Sequence, residues 1–202
     1  EAGKIVIEHI DFSIREVLQS ATDMLMLKAE EKSIGLRLTV DHNLPRRLVG
    51  DPTRINQILI NLAGNAVKFT EKGSVEVIAS VAKQEGSKLW VRFDVKDTGI
   101  GIAKEHLNSI FDSFTQAGAD TTRKFGGTGL GLTICRQLVS LMGGEISVTS
   151  ELGMGTTFTA IVPFEQAAVQ EEEVKSKVLD ERSMKRLNNL KVLLQMKIYL
   201  NG

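Results

Sequence analysis

Two glycine-rich segments dominate the chemistry open to this chain: Asp97-Thr98-Gly99-Ile100-Gly101-Ile102 and Gly126-Gly127-Thr128-Gly129-Leu130-Gly131-Leu132. Glycine tolerates positive φ and lets backbone N–H groups come close to a ligand, so two such turns read as two walls of one pocket. Asp97, which opens the first turn, has a separate task. A carboxylate repels phosphate but accepts from the exocyclic amine of adenine, which places Asp97 at the base of a nucleotide. The second glycine run leads straight into a helix, whose free N–H groups and partial positive charge suit anionic phosphate. A third segment, Asn61 to Thr70, precedes both. Its Asn61, Asn65 and Lys68 recur at i, i+4 and i+7, one polar stripe beside an apolar one, as on a helix that lines a pocket. Together the three segments describe an ATP site.

Hydrophobic periodicity supplies the elements that position these residues. Lys4 to Phe12 alternates and predicts a first strand. Ser13 caps a helix from Ile14 to about Lys32, with Glu16 three residues on as in a capping box. Leu36 to Val40 reads as a second strand. The helix bearing the polar stripe runs from Thr53 to about Phe69, with Ile55, Ile58, Leu59, Leu62, Ala63 and Ala66 on one face. Ser74 to Val81 and Leu89 to Val95 alternate around Gln84-Glu85-Gly86-Ser87 and predict a hairpin whose second strand delivers Asp97. A short helix over Lys104 to Ile110 and a polar loop from Thr115 to Lys124 follow. A helix from near Gly129 to about Met142 comes next, then a last hairpin of Glu145 to Ser150 and Thr156 to Pro163. This order predicts an α+β fold, a two-layer α/β sandwich with helices on one face of a mixed, mostly antiparallel sheet.

Composition sets the limits. At 202 residues, 42% of them hydrophobic, the chain can bury a sizeable core. Lys plus Arg and Asp plus Glu number 25 each, which removes any global electrostatic case for nucleic acid or an anionic membrane. Cys135 is the one cysteine, so no internal disulfide forms. No apolar run approaches the roughly 20 residues of a membrane span, and no signal peptide opens the chain, which reads as a soluble cytoplasmic domain without membrane contact. Two zones are expected: 5–165 as the nucleotide-binding domain, and 166–202 as a charged linker or helix. Glu171-Glu172-Glu173 mark that last zone, and its apolar end, Leu190 to Leu200, opens a possible further domain.

Residues 50–160 resemble the ATP-binding catalytic domain of sensor histidine kinases, a branch of the ATPase group that includes gyrase and mismatch-repair ATPases, whose sandwich is called the Bergerat fold. Asn61 to Thr70 is similar to the family's asparagine box, Asp97 to Ile102 to its first glycine box, Phe111 to Phe114 to its phenylalanine box, and Gly126 to Leu132 to its second glycine box. Phe-Thr-Gln-Ala and Thr-Thr-Arg-Lys-Phe-Gly-Gly-Thr-Gly-Leu-Gly-Leu are similar to hybrid kinases in particular.

The resemblance implies ATP and Mg2+ as cofactors and assigns roles. Asn65 would supply one oxygen to a magnesium ion that otherwise keeps phosphate oxygens and waters. Asn61, Lys68 and Arg123 would be the catalytic set, with Lys68 and Arg123 or Lys124 neutralising phosphate charge. Related ATPases place a glutamate general base where Asn61 stands, and an amide takes no proton, so ATP would be held and not rapidly hydrolysed. Phe69, Gly99 and Ile102 would line the nucleotide from the first two boxes, and Phe114 from the third. The second glycine box would add Gly127, Thr128, Gly129, Leu130 and Gly131, and the last hairpin Thr157. Plainer roles stay open to several of these residues: Asn61 as a surface amide, Arg123 and Lys124 as solvated charges, Phe111 and Phe114 as core aromatics.

The expected partners are ATP or ADP, a histidine-bearing dimerisation domain of the parent kinase, and a receiver domain or response regulator downstream. By the same resemblance, residues 1–4 would be the stub of an upstream dimerisation helix. His9, His42 and His106 all fall outside the helical Ser-His-Glu-like context of a phospho-accepting histidine. Two further readings are a gyrase-like ATPase, which wants a glutamate at position 61, and a non-catalytic module gated by nucleotide.

Overall fold

Ser13 starts the first helix, α1 (Ile14–Glu31): its hydroxyl accepts from the N–H of Glu16 at 3.3 Å. Helical spacing brings Ile14, Leu18, Ala21, Leu25 and Ala29 to one buried face. The helix ends in a tight reversal. Ser33 takes φ of 56°, and the N–H of Ile34 returns to the carbonyl of Ala29 at 3.0 Å.

The second helix, α2 (Pro52–Phe69), is fastened at both ends. At its start the buried Asp51 carboxylate accepts from the N–H of Arg54 at 3.0 Å and, with its other oxygen, from the N–H of Glu8 at 3.0 Å. Pro52 adds a residue whose fixed φ suits the first helical turn. At its end the Lys32 ammonium donates to the carbonyls of Val67 at 2.7 Å, Lys68 at 2.6 Å and Thr70 at 3.1 Å. A cation on carbonyls that lack helical partners satisfies them and complements the helix dipole.

The computed structural model, which describes residues 5–112 and 130–167, shows a seven-stranded mixed sheet. Its strands are β1 (Ile10–Ser13), β2 (Gly35–Val40), β3 (Arg47–Gly50), β4 (Ser74–Glu85), β5 (Lys88–Asp97), β6 (Glu145–Glu151) and β7 (Gly155–Gln166). The order is β1-β3-β7-β5-β4-β2, with β6 also on β7. β2 and β4 pair in parallel across the crossover that contains α2; every other pair in the sheet is antiparallel. A third helix, α3 (Gly131–Leu141), packs beside α2. The core lies between helices and sheet, filled by Leu59 and Leu62 of α2, Leu138 of α3, and Val91, Phe93 and Phe158 of the central strands. No helix among the described residues is long and apolar enough to cross a membrane.

The α+β sandwich matches the expectation, with local corrections. The first strand is confined to Ile10–Ser13, because the N–H of Glu8 is taken by Asp51 and not by a neighbouring strand. β3 was not anticipated: four residues carry too little pattern, and β3 exists through its ladders with β1 and the end of β7. The expected helix over 104–110 is a 3₁₀ turn at Lys104–His106 followed by turns. The strand expected to stop at Pro163 continues to Gln166.

Replacing Asp51 removes the acceptor for two backbone donors at once. Asp51→Ala is expected to lower unfolding stability by about 2 kcal/mol, the upper end of the cost of a lost N-cap, as measured by urea denaturation. A change below about 0.5 kcal/mol would show that neither bond matters to the fold.

Candidate functional site

Asp97 continues the inward phase of β5, after Leu89, Val91, Phe93 and Val95, so a carboxylate stands where the pattern calls for an apolar residue. It is 6% exposed. One of its oxygens, Oδ1, accepts from the N–H of Gly99 at 2.8 Å and from the N–H of Thr156 at 3.2 Å. Burial pushes the Asp97 carboxyl above the ordinary aspartate range, while these two bonds act in the opposite direction. No described residue donates to Oδ2. The site therefore presents one acceptor oxygen, held in place by two backbone donors on the other.

The turn after Asp97 is folded onto the β6–β7 turn. The carbonyl of Ile100 accepts from the N–H of Gly153 at 2.7 Å, and the N–H of Ile102 donates to the Ser150 hydroxyl at 2.8 Å. Two glycines make the approach possible. Gly101 sits at φ of +69°, and a Cβ there would lie 2.0 Å from the carbonyl oxygen of Glu151. Gly155, at φ of +101°, would place a Cβ 2.1 Å from the carbonyl oxygen of Asp97 itself. Any side chain at either position forces the turns apart.

On α2 the polar stripe is present: Asn61, Asn65 and Lys68 are all partly exposed while Leu62, Ala63, Ala66 and Val67 are buried. The thiol of Cys135 on α3 donates to the carbonyl of Ile58 at 3.8 Å and is pushed up to about 12 by burial, while the Asn61 Oδ1 would lie 3.7 Å from a Cβ at Gly131. The Ile58 carbonyl and the Asn61 amide thus set α2 against the first turns of α3. Lys68 lies over the ring of Phe69 with its ammonium 4.8 Å from the centroid, and desolvation lowers its pKa. α3 starts at Gly131, after Leu130, and among the described residues no side chain caps its N-terminus.

Asn61, Asn65, Lys68 and Phe69 thus share α2, Gly99 and Ile102 belong to the Asp97 turn, and Gly131 stands against Asn61. Thr157 is a correction. It pairs with Lys96 and Thr149 on the opposite face of the sheet from Asp97, whose register partner is Thr156. Phe111 packs edge-on against Phe158 with centroids 6.2 Å apart, a core aromatic. Phe114, Arg123, Lys124, Gly127, Thr128 and Gly129, with the loop 115–124 and the charged segment after 167, lie outside the described residues.

Sequence reasoning missed Ser150 and Thr156. Asp97, Thr156 and Ser150 form one register row across β5, β7 and β6, all on the helix-facing side. The signal was available in strand parity: Phe158, Ala160, Val162 and Phe164 face inward, so Thr156 shares their phase and Thr157 does not.

Residues 50–166 match a family profile described as histidine kinase-, DNA gyrase B-, and HSP90-like ATPase. The chain is 42% identical over 167 residues to hybrid signal transduction histidine kinase L of Dictyostelium discoideum, covering 82% of this chain and 10% of that protein. It is 39% identical over 158 residues to the signal transduction histidine-protein kinase BarA of Escherichia coli K12, covering 78% of this chain and 17% of that protein. The chain therefore spans a small part of the curated relatives it matches. Among solved structures, full-length ShkA in complex with AMPPNP superposes with a TM-score of 0.71 at 39% identity, over 83% of this chain and 34% of that one. The nucleotide-free catalytic domain of histidine kinase ThkA gives 0.61 at 28% identity, over 77% of this chain and 95% of that one.

The raised pKa of Asp97 has two consequences of opposite sign. Without ligand, the folded state holds the proton more tightly than the unfolded chain, so this group's contribution to stability is fully present below the ordinary aspartate value and is lost as pH rises through the raised one. The assignment of Asp97 to the adenine amine requires affinity for an adenine nucleotide to run the other way, because the ionised carboxylate is the stronger acceptor. Calorimetric titration with ADP is expected to show a loss of affinity on acidification, above the pH of an ordinary aspartate, that Asp97→Asn lacks. Identical pH profiles for the two proteins would contradict this.

Proposed function

The chain belongs to the family of histidine kinase-, DNA gyrase B- and HSP90-like ATPases, as an ATP-binding domain of the hybrid sensor kinase type, and from that premise we propose that it hands the γ-phosphoryl group of ATP to a histidine on a separate dimerisation domain. The observation that carries the reading is the buried Asp97 carboxylate, one oxygen saturated by backbone donors and the other open to a donor such as the adenine amine. The N-terminus of α3 would offer backbone N–H groups to phosphate. Lys68, on the α2 stripe, would supply a cation for phosphate charge.

Magnesium fits the residues present. Among the described residues no cluster of three acidic, histidine or cysteine side chains exists that would bind a metal by itself. A single amide oxygen from Asn65 suits a hard cation that takes its remaining ligands from phosphates and water. When bound, the ion would neutralise phosphate charge.

Transfer in place of hydrolysis follows from Asn61. An amide cannot deprotonate water. In the transfer step the bond between the γ-phosphorus and the bridging oxygen breaks, ADP leaves, and an imidazole nitrogen of the acceptor gains the phosphoryl group. The chain's own histidines are poor candidates for that acceptor: His9 precedes β1, His42 is in a turn beside Asp41, and His106 is in the 3₁₀ turn. The acceptor domain and a downstream receiver are thus proposed as partners in the parent protein.

Asp97→Asn is expected to weaken ADP by at least about tenfold in calorimetry, the weight of a hydrogen bond to a charged group, with little change in melting temperature. Unchanged affinity would refute the adenine assignment. Asn65→Ala is expected to abolish the gain in affinity that Mg2+ gives to ATP while leaving metal-free binding as it was; an undiminished Mg2+ effect would remove Asn65 from the metal site. With γ-labelled ATP, the chain is expected to label a hybrid kinase's dimerisation domain supplied in trans and to release little free phosphate alone. Rapid release without transfer would favour an ATPase.

A further inference from the structure

The Ser150 hydroxyl is the junction of the pocket's two turns. It accepts from the N–H of Ile102 at 2.8 Å, lies 2.8 Å from the carbonyl oxygen of Gly155, and lies 2.9 Å from Oγ1 of Thr156. A hydroxyl has one proton and two lone pairs, and a carbonyl can only accept. One arrangement satisfies every group: Ser150 donates to Gly155 and accepts from both Ile102 and Thr156. The proton of Thr156 is then committed to Ser150.

The same atom holds both segments that orient Asp97. One donor to Asp97 Oδ1 is the N–H of Thr156, beside the hydroxyl that Ser150 engages; the other is the N–H of Gly99, in the turn whose exit at Ile102 is bound to Ser150. We propose that Ser150 is a positioning residue for base recognition, acting through Thr156 and Ile102 to keep Oδ1 of Asp97 on its backbone donors and Oδ2 free for the base amine. The proposal rests on the adenine assignment made above. Without the Ser150 hydroxyl, the Ile102 N–H and the Thr156 O–H lose their acceptor, the two turns are no longer held together, and the two oxygens of Asp97 cease to be distinguished.

The test compares ADP with purine riboside 5′-diphosphate, which lacks only the 6-amino group, by calorimetry on the whole chain. The wild-type protein is expected to prefer ADP. Ser150→Ala is expected to shrink that preference by about tenfold, and Ser150→Thr, which returns the hydroxyl, to restore it. Thr156→Val keeps the N–H to Asp97 and removes the hydroxyl partner, so it is expected to act like Ser150→Ala and also to carry the test should the latter fail to fold. Because the bond that Thr156→Val breaks is one of those that Ser150→Ala breaks, the double variant is expected to be no worse than Ser150→Ala alone. Equal losses of ADP and the analogue in Ser150→Ala, leaving the preference intact, would overturn the proposal, as would additive effects in the double variant. Asp97→Asn separates the two levels. If it keeps the preference for ADP, the adenine assignment itself fails; if it abolishes the preference and Ser150→Ala does not, only the role of Ser150 fails.

Discussion

A carboxylate on the buried side of a sheet is the constraint around which the site is arranged. Taking an ionised group out of water is expensive unless hydrogen bonds replace the lost hydration. Asp97 meets that demand with two backbone N–H groups on one oxygen, and those groups come from different parts of the chain: Gly99, two residues on, and Thr156, across the sheet. The rest of the geometry follows from bringing them together. Gly155 has no side chain because the Asp97 carbonyl occupies that space, Gly101 has none because the carbonyl of Glu151 does, and Ser150 closes the gap between the two turns.

The opposite wall depends on α2, and α2 is held by polar contacts at its ends more than by intrinsic helix propensity. Asp51 ties its start to the segment before β1, and Lys32 ties its last carbonyls to the end of α1. Between these anchors its apolar face is buried, which fixes its rotation, leaves Asn61, Asn65 and Lys68 partly exposed, and sets Asn61 against the start of α3. Asn61 stands against Gly131 in that packing, and one turn earlier the Ile58 carbonyl of α2 accepts from the Cys135 thiol of α3.

Elements with a strong local pattern were readable from the amino-acid sequence. Ser13 with Glu16 marked the start of α1, and the alternation of β5 led directly to Asp97. What escaped depended on contacts distant in sequence. β3 is four residues long and is defined by its neighbours β1 and β7. The segment before Ile10 alternates like a strand, yet one of its N–H groups goes to a helix cap. Thr157 was expected at the nucleotide where Thr156 is the residue that meets Asp97; a one-residue shift in a strand exchanges the faces of the sheet, and the inward phase of Phe158 and Ala160 carried the information. Ser150 offered no motif, since its importance arises only when two turns meet.

The central claim is that Asp97 recognises the base with the oxygen its backbone donors leave free. A crystal structure of the chain with ADP and Mg2+ tests it most directly. The account predicts the 6-amino group within hydrogen-bond distance of Asp97 Oδ2, with the N–H groups of Gly99 and Thr156 still on Oδ1. A base seated elsewhere, or an Asp97 carboxylate turned to the metal or the phosphates, would contradict it.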